Sequence, residues 1–134
     1  MRPDEIERFF AARVVGTDAL AMAVHERVTG RLVGTCQYFR SGPCIHGLEI
    51  GYIVHDEADR KRGFATEGLQ LLSDHLFQSH VEHQRHQLTI ETTNIASYKV
   101  GEKCGFSREG ILRSSGFGDS LPDCYVYSRL AADR

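Results

Sequence analysis

Hydrophobic residues in this chain fall into short segments that predict an alternation of strands and helices. The segment LEIGYIV, residues 48–54, is short, β-branched and aromatic, which is typical of a strand. Apolar residues of the segment 64–79 recur at Phe64, Leu69, Leu72 and Leu76, the spacing of one helix face. Similar patterns predict strands at residues 20–28, 32–39, 86–93, 109–114 and 124–130, and helices at residues 3–13 and 95–103.

The order of these elements predicts the fold class. A strand, a 16-residue helix and a second strand in succession form a parallel crossover, whereas the flanking hairpins are antiparallel. We therefore expect an α/β fold with a mixed, mainly antiparallel sheet and flanking helices. The length of 134 residues suits one domain spanning residues 1–134.

Composition and charge exclude several classes of protein. The 16 basic and 18 acidic residues give a net charge of -2, which disfavours a nucleic-acid-binding protein, although a local basic patch stays open. No apolar run approaches the roughly 18 residues of a membrane-spanning helix, and the first ten residues carry charges where a signal peptide would be apolar. We expect a soluble, cytoplasmic protein without nucleic-acid or membrane partners.

The cysteines and histidines predict no metal site. The four cysteines, at positions 36, 44, 104 and 124, form no C-x-x-C pair, so we expect reduced, mostly packed thiols. His75, His80, His83 and His86 lie around the end of the long helix, with no carboxylate or cysteine at a matching spacing. A solvated surface is the favoured interpretation of these histidines.

A basic, glycine-containing segment stands directly before the long helix. Arg60, Lys61 and Arg62 precede Gly63, and the helix begins at Phe64. The first N–H groups of a helix lack intrahelical acceptors, and the helix dipole favours negative charge there. Gly63 would let a phosphate approach the backbone because it has no Cβ. The segment predicts an anion site, with a solvated basic loop as the alternative.

A second segment, beginning at Asn94, predicts a short helix that ends at Cys104-Gly105. Asn94 and Ser97 are three residues apart, so both side chains can face the end of the preceding strand. In the structural alternative, Asn94 caps the helix and Ser97 is an ordinary residue of its first turn. Neither segment alone identifies a function.

The two segments together resemble the GNAT superfamily of acetyl-CoA-dependent N-acetyltransferases, most closely its RimJ/RimL-type branch. The resemblance extends over residues 20–130. It is carried by Glu49-Ile50-Gly51-Tyr52, Arg60-x-x-Gly63-x-Ala65-Thr66-Glu67, Asn94-x-x-Ser97-x-x-Val100-x-Glu102-Lys103-x-Gly105-Phe106, Glu109-Gly110 and Asp123-x-x-x-Tyr127-Ser128. Family members usually begin with several tens of residues that form one wall of the acceptor site, so residues 1–19 would be a shortened front segment.

The resemblance implies a site for acetyl-CoA. In the family, the strands matching residues 48–54 and 88–93 splay apart, and the pantetheine arm pairs with the first strand, here through the backbone of Ile53, Val54 and His55. The pyrophosphate would bind the N–H groups of Arg62, Gly63, Phe64, Ala65 and Thr66. Arg60 and Lys61 would add positive charge, and Asn94 would bond to the pantetheine amides or to the splayed strand.

The resemblance also implies direct attack of an amine on the thioester. Glu49 is the predicted base and Glu91 the second candidate; in the alternative, Glu49 only orients a neighbour. Ser97 is predicted to protonate the leaving thiolate. Many family members use a tyrosine on this helix, four residues before the Gly-Phe pair, but that position is Gly101 here, and Tyr98 lies on a different face from Ser97.

The predicted function is transfer of acetyl from acetyl-CoA to a primary amine, without a metal. The acceptor would be a protein N-terminal α-amino group or a small molecule. The short front segment and Gly101 support an alternative, a non-catalytic acyl-CoA-binding or partner-binding module. A homodimer is a candidate assembly, since symmetric pairs are common and a second copy could complete the acceptor wall.

Overall fold

The structure is a computed structural model that describes residues 20–134. The predicted helix at residues 3–13 and the predicted front segment 1–19 lie outside the described residues. Neither α-helix of the described range is long and apolar enough to cross a membrane. The elements of this range are β1 (Leu20–His25), β2 (Leu32–Arg40), β3 (Leu48–Val54), a 3-10 turn (Glu57–Asp59), α1 (Phe64–Ser79), β4 (Arg85–Glu91), α2 (Ile95–Lys103), β5 (Ser107–Leu112), β6 (Cys124–Leu130) and a second 3-10 turn (Ala131–Asp133).

These strands form one sheet with the order β1-β2-β3-β4-β6-β5. β3 and β4 are parallel, and every other neighbouring pair in the order is antiparallel. α1 connects the two parallel strands, as a crossover requires. The predicted α/β fold with a mixed, mainly antiparallel sheet is confirmed.

The two parallel strands at the centre of the sheet are paired over only a short stretch. Leu48 pairs with His86 and Glu49 pairs with Gln87, although each strand has seven residues. Beyond Glu49 the strands diverge toward their carboxyl ends. The central splayed pair is therefore present, and it opens a gap in the sheet.

The hydrophobic core lies between one face of the sheet and the helices. Leu48 and Ile50 of β3 are buried together with Leu69 and Leu76 of α1. Because successive side chains of a strand point to opposite faces, Glu49 lies on the face away from these helical residues. The core thereby fixes which face of the sheet presents polar side chains.

The cysteines are mostly packed, as predicted. Cys36, Cys104 and Cys124 are buried and Cys44 is exposed, and none of the four forms a disulfide. Burial raises the pKa of Cys36 to about 11. The thiol of this residue is therefore protonated and unreactive at neutral pH.

Four strands have bounds that differ from the prediction, and β2 differs only by extending one residue further, to Arg40. β1 stops at His25 because a turn begins there, in which Glu26 N–H donates to the Arg31 carbonyl at 2.8 Å. β4 covers Arg85–Glu91 and ends where residues 92–94 turn toward α2. β5 covers Ser107–Leu112, two residues earlier than predicted, and contains an irregularity in its pairing with β6.

The histidines near the end of α1 are less solvated than predicted. His83 and His86 are 5% and 0% exposed, whereas His75 is exposed. The ring of His86 stacks on Phe77 at a centroid distance of 3.7 Å, and its Nδ1 lies 2.8 Å from Ser73 Oγ. Burial lowers the pKa of His86 to about 3. The prediction of a solvated surface is wrong for His83 and His86. β4 begins one residue before His86 and places it in the core. His83 lies in the turn before β4, where its ring packs at 5.6 Å from the ring of His46.

Candidate active site

The gap between β3 and β4 forms an open cleft of about 490 Å³. Residues 115–117 of the loop before β6 line part of it. The strands and the start of α2 contribute Glu49, Tyr52, Thr89, Glu91, Asn94 and Ser97. The structure thus brings both predicted catalytic residues, Glu49 and Ser97, and the second candidate base into one cleft.

Glu49 is half-buried, and side chains of β4 hold its carboxylate. Glu49 Oε1 accepts hydrogen bonds from Gln87 Nε2 at 3.0 Å and from Thr89 Oγ1 at 3.2 Å. Burial raises the pKa of Glu49 above its ordinary value, while the bonds from Gln87 and Thr89 and the charge of Arg85 act in the opposite direction. A carboxylate with a raised pKa on the wall of a cleft suits a general base. The same contacts also fit a structural role, so the role of Glu49 stays a prediction.

Ser97 is paired with a tyrosine of β3. The Tyr52 hydroxyl donates to the Ser97 carbonyl oxygen at 2.7 Å, and the Ser97 hydroxyl donates to the Tyr52 hydroxyl oxygen at 3.3 Å. Burial raises the pKa of Tyr52 to about 12, so the phenol stays protonated at neutral pH. The pair fixes the position of the Ser97 hydroxyl on the wall of the cleft.

Gly101 occupies the helix position at which the resemblance noted in the sequence would lead us to expect a tyrosine. A Cβ at this position would lie 2.8 Å from Leu88 Cδ1, so a larger residue would require Leu88 to move. The same Cβ would lie 4.0 Å from the Tyr52 hydroxyl oxygen. A phenol from β3 therefore stands beside the position that has no side chain on α2. The sequence alone assigns no role to Tyr52, although the residue belongs to the Glu49–Tyr52 motif.

Asn94 is the N-cap of α2. Its side-chain oxygen accepts a hydrogen bond from the Ser97 N–H at 3.3 Å. The capping interpretation is therefore confirmed, and the cap positions the first turn of α2 at the cleft. The cap uses the oxygen of the amide, and a bond from Asn94 to pantetheine stays a prediction.

The loop before α1 has the backbone of an anion site. Gly63 is the N-cap of α1 in a left-handed conformation, with φ 86° and ψ 3°. A Cβ on Gly63 would meet nothing within 4 Å, so the space beside this residue is open. The N–H groups of Phe64, Ala65 and Thr66 begin the helix and have no intrahelical acceptor. This geometry suits the anion site that the sequence predicts and the pyrophosphate site that the resemblance implies.

A buried carboxylate anchors the same loop. Asp59 is 2% exposed and accepts hydrogen bonds from both terminal nitrogens of Arg31, at 2.6 and 2.7 Å. Arg62 forms ion pairs with Glu26 at 2.7 Å and with Asp59 at 3.2 Å. The bond from Arg31, and less strongly that from Arg62, holds the pKa of Asp59 below its usual range. The side chain of Arg62 therefore secures the loop, whereas the two preceding cations are exposed.

The edge of β3 that faces the gap presents fewer backbone groups than predicted. The N–H of His55 donates to the Val33 carbonyl at 3.0 Å and so points toward β2. Alternate residues of a strand direct their backbone groups to opposite sides. Ile53 therefore shares the direction of His55, whereas Val54 and Tyr52 face the gap. The His55 N–H is therefore engaged by Val33, and the geometry favours Val54 among the three residues for the backbone contact that the resemblance implies, which stays a prediction.

Gln87 and Thr89, which hold Glu49, belong to no sequence motif. Both alternate with the buried residues Leu88 and Ile90 along β4, and this period of two predicts that they share one face. Their approach to Glu49 also requires the parallel register of β3 and β4. That register has no local signal in the sequence.

Known proteins similar to this chain point to one family. A family model described as an acetyltransferase (GNAT) domain matches residues 1–107. YoaA of Bacillus subtilis strain 168, an uncharacterized N-acetyltransferase, is 30% identical over 120 residues, which are 89% of this chain and 67% of YoaA. YjcK of the same strain, named a probable N-acetyltransferase, is 34% identical over 86 residues, which are 63% of this chain and 46% of YjcK. The match therefore spans about half of the length of YjcK.

A solved structure has the same fold. RimJ from Mycobacterium smegmatis, in complex with CoA-disulfide, matches with a TM-score of 0.80 and 23% identity, over 97% of this chain and 61% of RimJ. The family model covers most of the chain, and the 30% identical relative YoaA is covered to two thirds of its length. The family predicted from the sequence motifs is confirmed: the chain belongs to the GNAT acetyltransferase family.

Proposed function

We propose that this chain is an N-acetyltransferase that transfers acetyl from acetyl-CoA to a primary amine in a ternary complex. The observation that carries the proposal is the splay of β3 and β4, which opens a cleft with Glu49 and Ser97 on its walls. After β3, residues 55–63 lead the chain to the start of α1, whose first N–H groups have no intrahelical acceptor. One surface thus offers a reaction cleft and an anion site in succession.

The two parts of this surface match the two parts of acetyl-CoA. The pantetheine arm would pair with the backbone of Val54 on the free edge of β3. The pyrophosphate would bind the N–H groups at the start of α1, from Arg62 to Thr66, where the helix dipole favours an anion. Arg60 and Lys61 are exposed beside this helix start and would add positive charge.

In the proposed reaction, Glu49 takes a proton from the ammonium group of the acceptor, directly or through water. The neutral amine attacks the thioester carbonyl, the C–N bond forms, the C–S bond breaks, and the electron pair leaves on sulfur. Ser97, held by Tyr52, gives its hydroxyl proton to that sulfur and regains one from the acylated nitrogen, which thereby becomes the neutral amide. A backbone N–H on the free edge of β3 would stabilise the oxyanion, and the cleft would hold both reactants at reacting distance.

The charge of the cleft supports an acceptor that arrives as a cation. Among the described residues that line it, the charged ones are Glu49 and Glu91, and both are acidic. Two carboxylates attract an ammonium group and disfavour an acceptor that carries acidic groups beside its amine. We propose a protein N-terminal α-amino group or a small-molecule amine as the acceptor.

Two measurements test this function. Isothermal titration with acetyl-CoA and with CoA is expected to show binding of both, and a failure of both to bind at millimolar concentration would contradict the proposal. Release of free thiol from acetyl-CoA is then followed with a panel of amines and N-terminal peptides, and at least one is expected to support turnover. Binding of acetyl-CoA without thiol release from any of them would instead support a non-catalytic acyl-CoA-binding module.

A further inference from the structure

A chain of hydrogen bonds crosses the open face of the sheet and ends on Glu49. Arg85, the first residue of β4, donates from one guanidinium nitrogen to Glu109 of β5. Its other terminal nitrogen donates to Gln87 Oε1 at 2.8 Å. Gln87 Nε2 in turn donates to Glu49 Oε1 at 3.0 Å. The contacts thus connect β5 to β3 across the two strands that lie between them.

The chemistry of these groups fixes the direction of the chain. An arginine can only donate and a carboxylate can only accept, so the Gln87 amide must turn its oxygen to Arg85 and its nitrogen to Glu49. A donor aimed at a carboxylate favours its charged form. Hydrogen bonds from Ser128 and then from Arg85 hold the pKa of Glu109 below its usual range, so Glu109 is a charged anchor for the arginine at neutral pH.

These contacts hold one oxygen of Glu49 more tightly than the other. Oε1 receives the side-chain bonds from Gln87 at 3.0 Å and from Thr89 at 3.2 Å, whereas the side-chain contact of Oε2 among the described residues is at 3.4 Å, from Thr89 Oγ1. The Thr89 N–H also favours the charged carboxylate. Burial alone would favour the protonated carboxyl, and the two donors and the charge of Arg85 oppose it. An amine that enters the cleft could therefore give its proton to Oε2 while Oε1 stays held.

We infer that Arg85 and Gln87 are positioning residues for Glu49, which hold its carboxylate in one orientation and favour its charged form in a half-buried place. This inference rests on the proposed function, in which Glu49 is the base. The step is balanced without a further reactant, because the ammonium group loses one proton and Glu49 gains it. The groups beside Glu49 on the neighbouring strands are Gln37 and Phe39 of β2 and Arg85, Gln87, Thr89 and Glu91 of β4, and Glu109 of β5 acts on it only through Arg85.

A direct titration of the Glu49 carboxyl by carbon-13 NMR tests this inference, with Glu49→Gln assigning the signal. Arg85→Met and Gln87→Met are each expected to raise the pKa of Glu49 by about half a unit to one unit, since each removes a group that favours the charged form. Arg85→Lys, which keeps the charge without the two-pronged geometry, should give a smaller rise. Arg27→Met removes an exposed arginine from the β1–β2 turn and should leave the pKa unchanged. An unchanged pKa of Glu49 in both methionine variants overturns the inference.

The pH dependence of kcat/KM for thiol release gives a second readout. Below the pKa of Glu49, the two methionine variants should be about threefold to tenfold slower than the parent, and they should approach it at higher pH. The KM for acetyl-CoA should not change. A loss of equal size at every pH would show a merely structural role. If the parent releases no thiol with any amine, the proposed function fails, while the NMR titration still decides whether Arg85 and Gln87 control the carboxyl.

Discussion

The two ends of the surface proposed for acetyl-CoA are built from different parts of the chain. At the start of α1 the useful groups belong to the backbone, since Gly63 is left-handed and the first helical N–H groups point outward. At the splay they are side chains of separate elements, Glu49 of β3 and Gln87 of β4, and Ser97 of α2. A backbone site depends on local conformation, whereas a side-chain site depends on how distant elements are placed beside each other.

The largest effect is expected from a charge placed at the start of α1, around Gly63, which we call the backbone site. Gly63→Asp should weaken CoA binding about a thousandfold, because a carboxylate about 4 Å from a phosphate costs roughly 4 kcal/mol at a protein surface. Isothermal titration measures this change. Gly118→Asp is the matched control, since Gly118 is also left-handed, with φ 101°, and a Cβ there also meets nothing within 4 Å. Equal CoA affinity in the Gly63 variant and its parent would place the phosphates elsewhere.

The second effect concerns the cleft residues Glu49, Gln87 and Ser97, which we call the side-chain site. Glu49→Gln should lower kcat at neutral pH roughly a hundredfold, because the amide cannot accept the proton of the acceptor. Binding of acetyl-CoA should stay within about twofold, since none of the proposed cofactor contacts involves Glu49. Steady-state thiol release and titration measure the two quantities. Glu91→Gln serves as the control in the same cleft, and a larger loss in that variant would transfer the role of base to Glu91.

The third effect tests whether Tyr52 and Ser97 act as a unit. Tyr52→Phe and Ser97→Ala should each lower kcat about tenfold, the value of one hydrogen bond in the cleft. Because Tyr52 acts through Ser97, the double variant should be no slower than the slower single variant. Single-turnover rates of the four proteins measure the coupling. Multiplied losses in the double variant would mean that the two hydroxyls act separately.

The smallest effect is expected from the ion pairs of Asp59, which anchor the loop that carries the backbone site. Asp59→Asn should weaken CoA binding about threefold to fivefold, because Arg31 and Arg62 lose their shared partner and the loop loosens. Glu57→Gln removes the same charge from the same loop, at a residue that forms no ion pair with another residue of the described range 20–134. Removal of a negative charge would by itself strengthen phosphate binding, so weaker binding in the Asp59 variant alone identifies loop geometry as the cause.

The sequence predicts the local conformation at the start of α1 closely and the contacts in the cleft only in part. The glycine before a helix, three preceding cations and the period of α1 are local signals, and α1 begins at the predicted residue Phe64. Glu49 and Ser97 are found from the motif and do share the cleft. The side chains that hydrogen-bond to these two residues are Gln87 for Glu49 and Tyr52 for Ser97. The Gln87 contact depends on the β3–β4 register. The Tyr52 hydroxyl lies beside Gly101, where a Cβ would lie 2.8 Å from Leu88.

The interior histidine of β4 gives the fold an acid sensitivity that is separate from acetyl transfer. His86 is neutral in the folded chain down to a pH of about 3, whereas an unfolded histidine titrates near pH 6.5. Between these values the unfolded chain binds one more proton, so the free energy of unfolding should fall by about 1.4 kcal/mol for each pH unit below 6.5 and be constant above it for this group. Calorimetry at pH 5.5, in buffers of different ionisation enthalpy, should detect uptake of about one proton on unfolding. His86→Gln should remove that uptake, whereas His75→Gln, at an exposed position, should keep it. A single histidine ring stacked on Phe77 thus makes unfolding of the sheet a proton-consuming reaction.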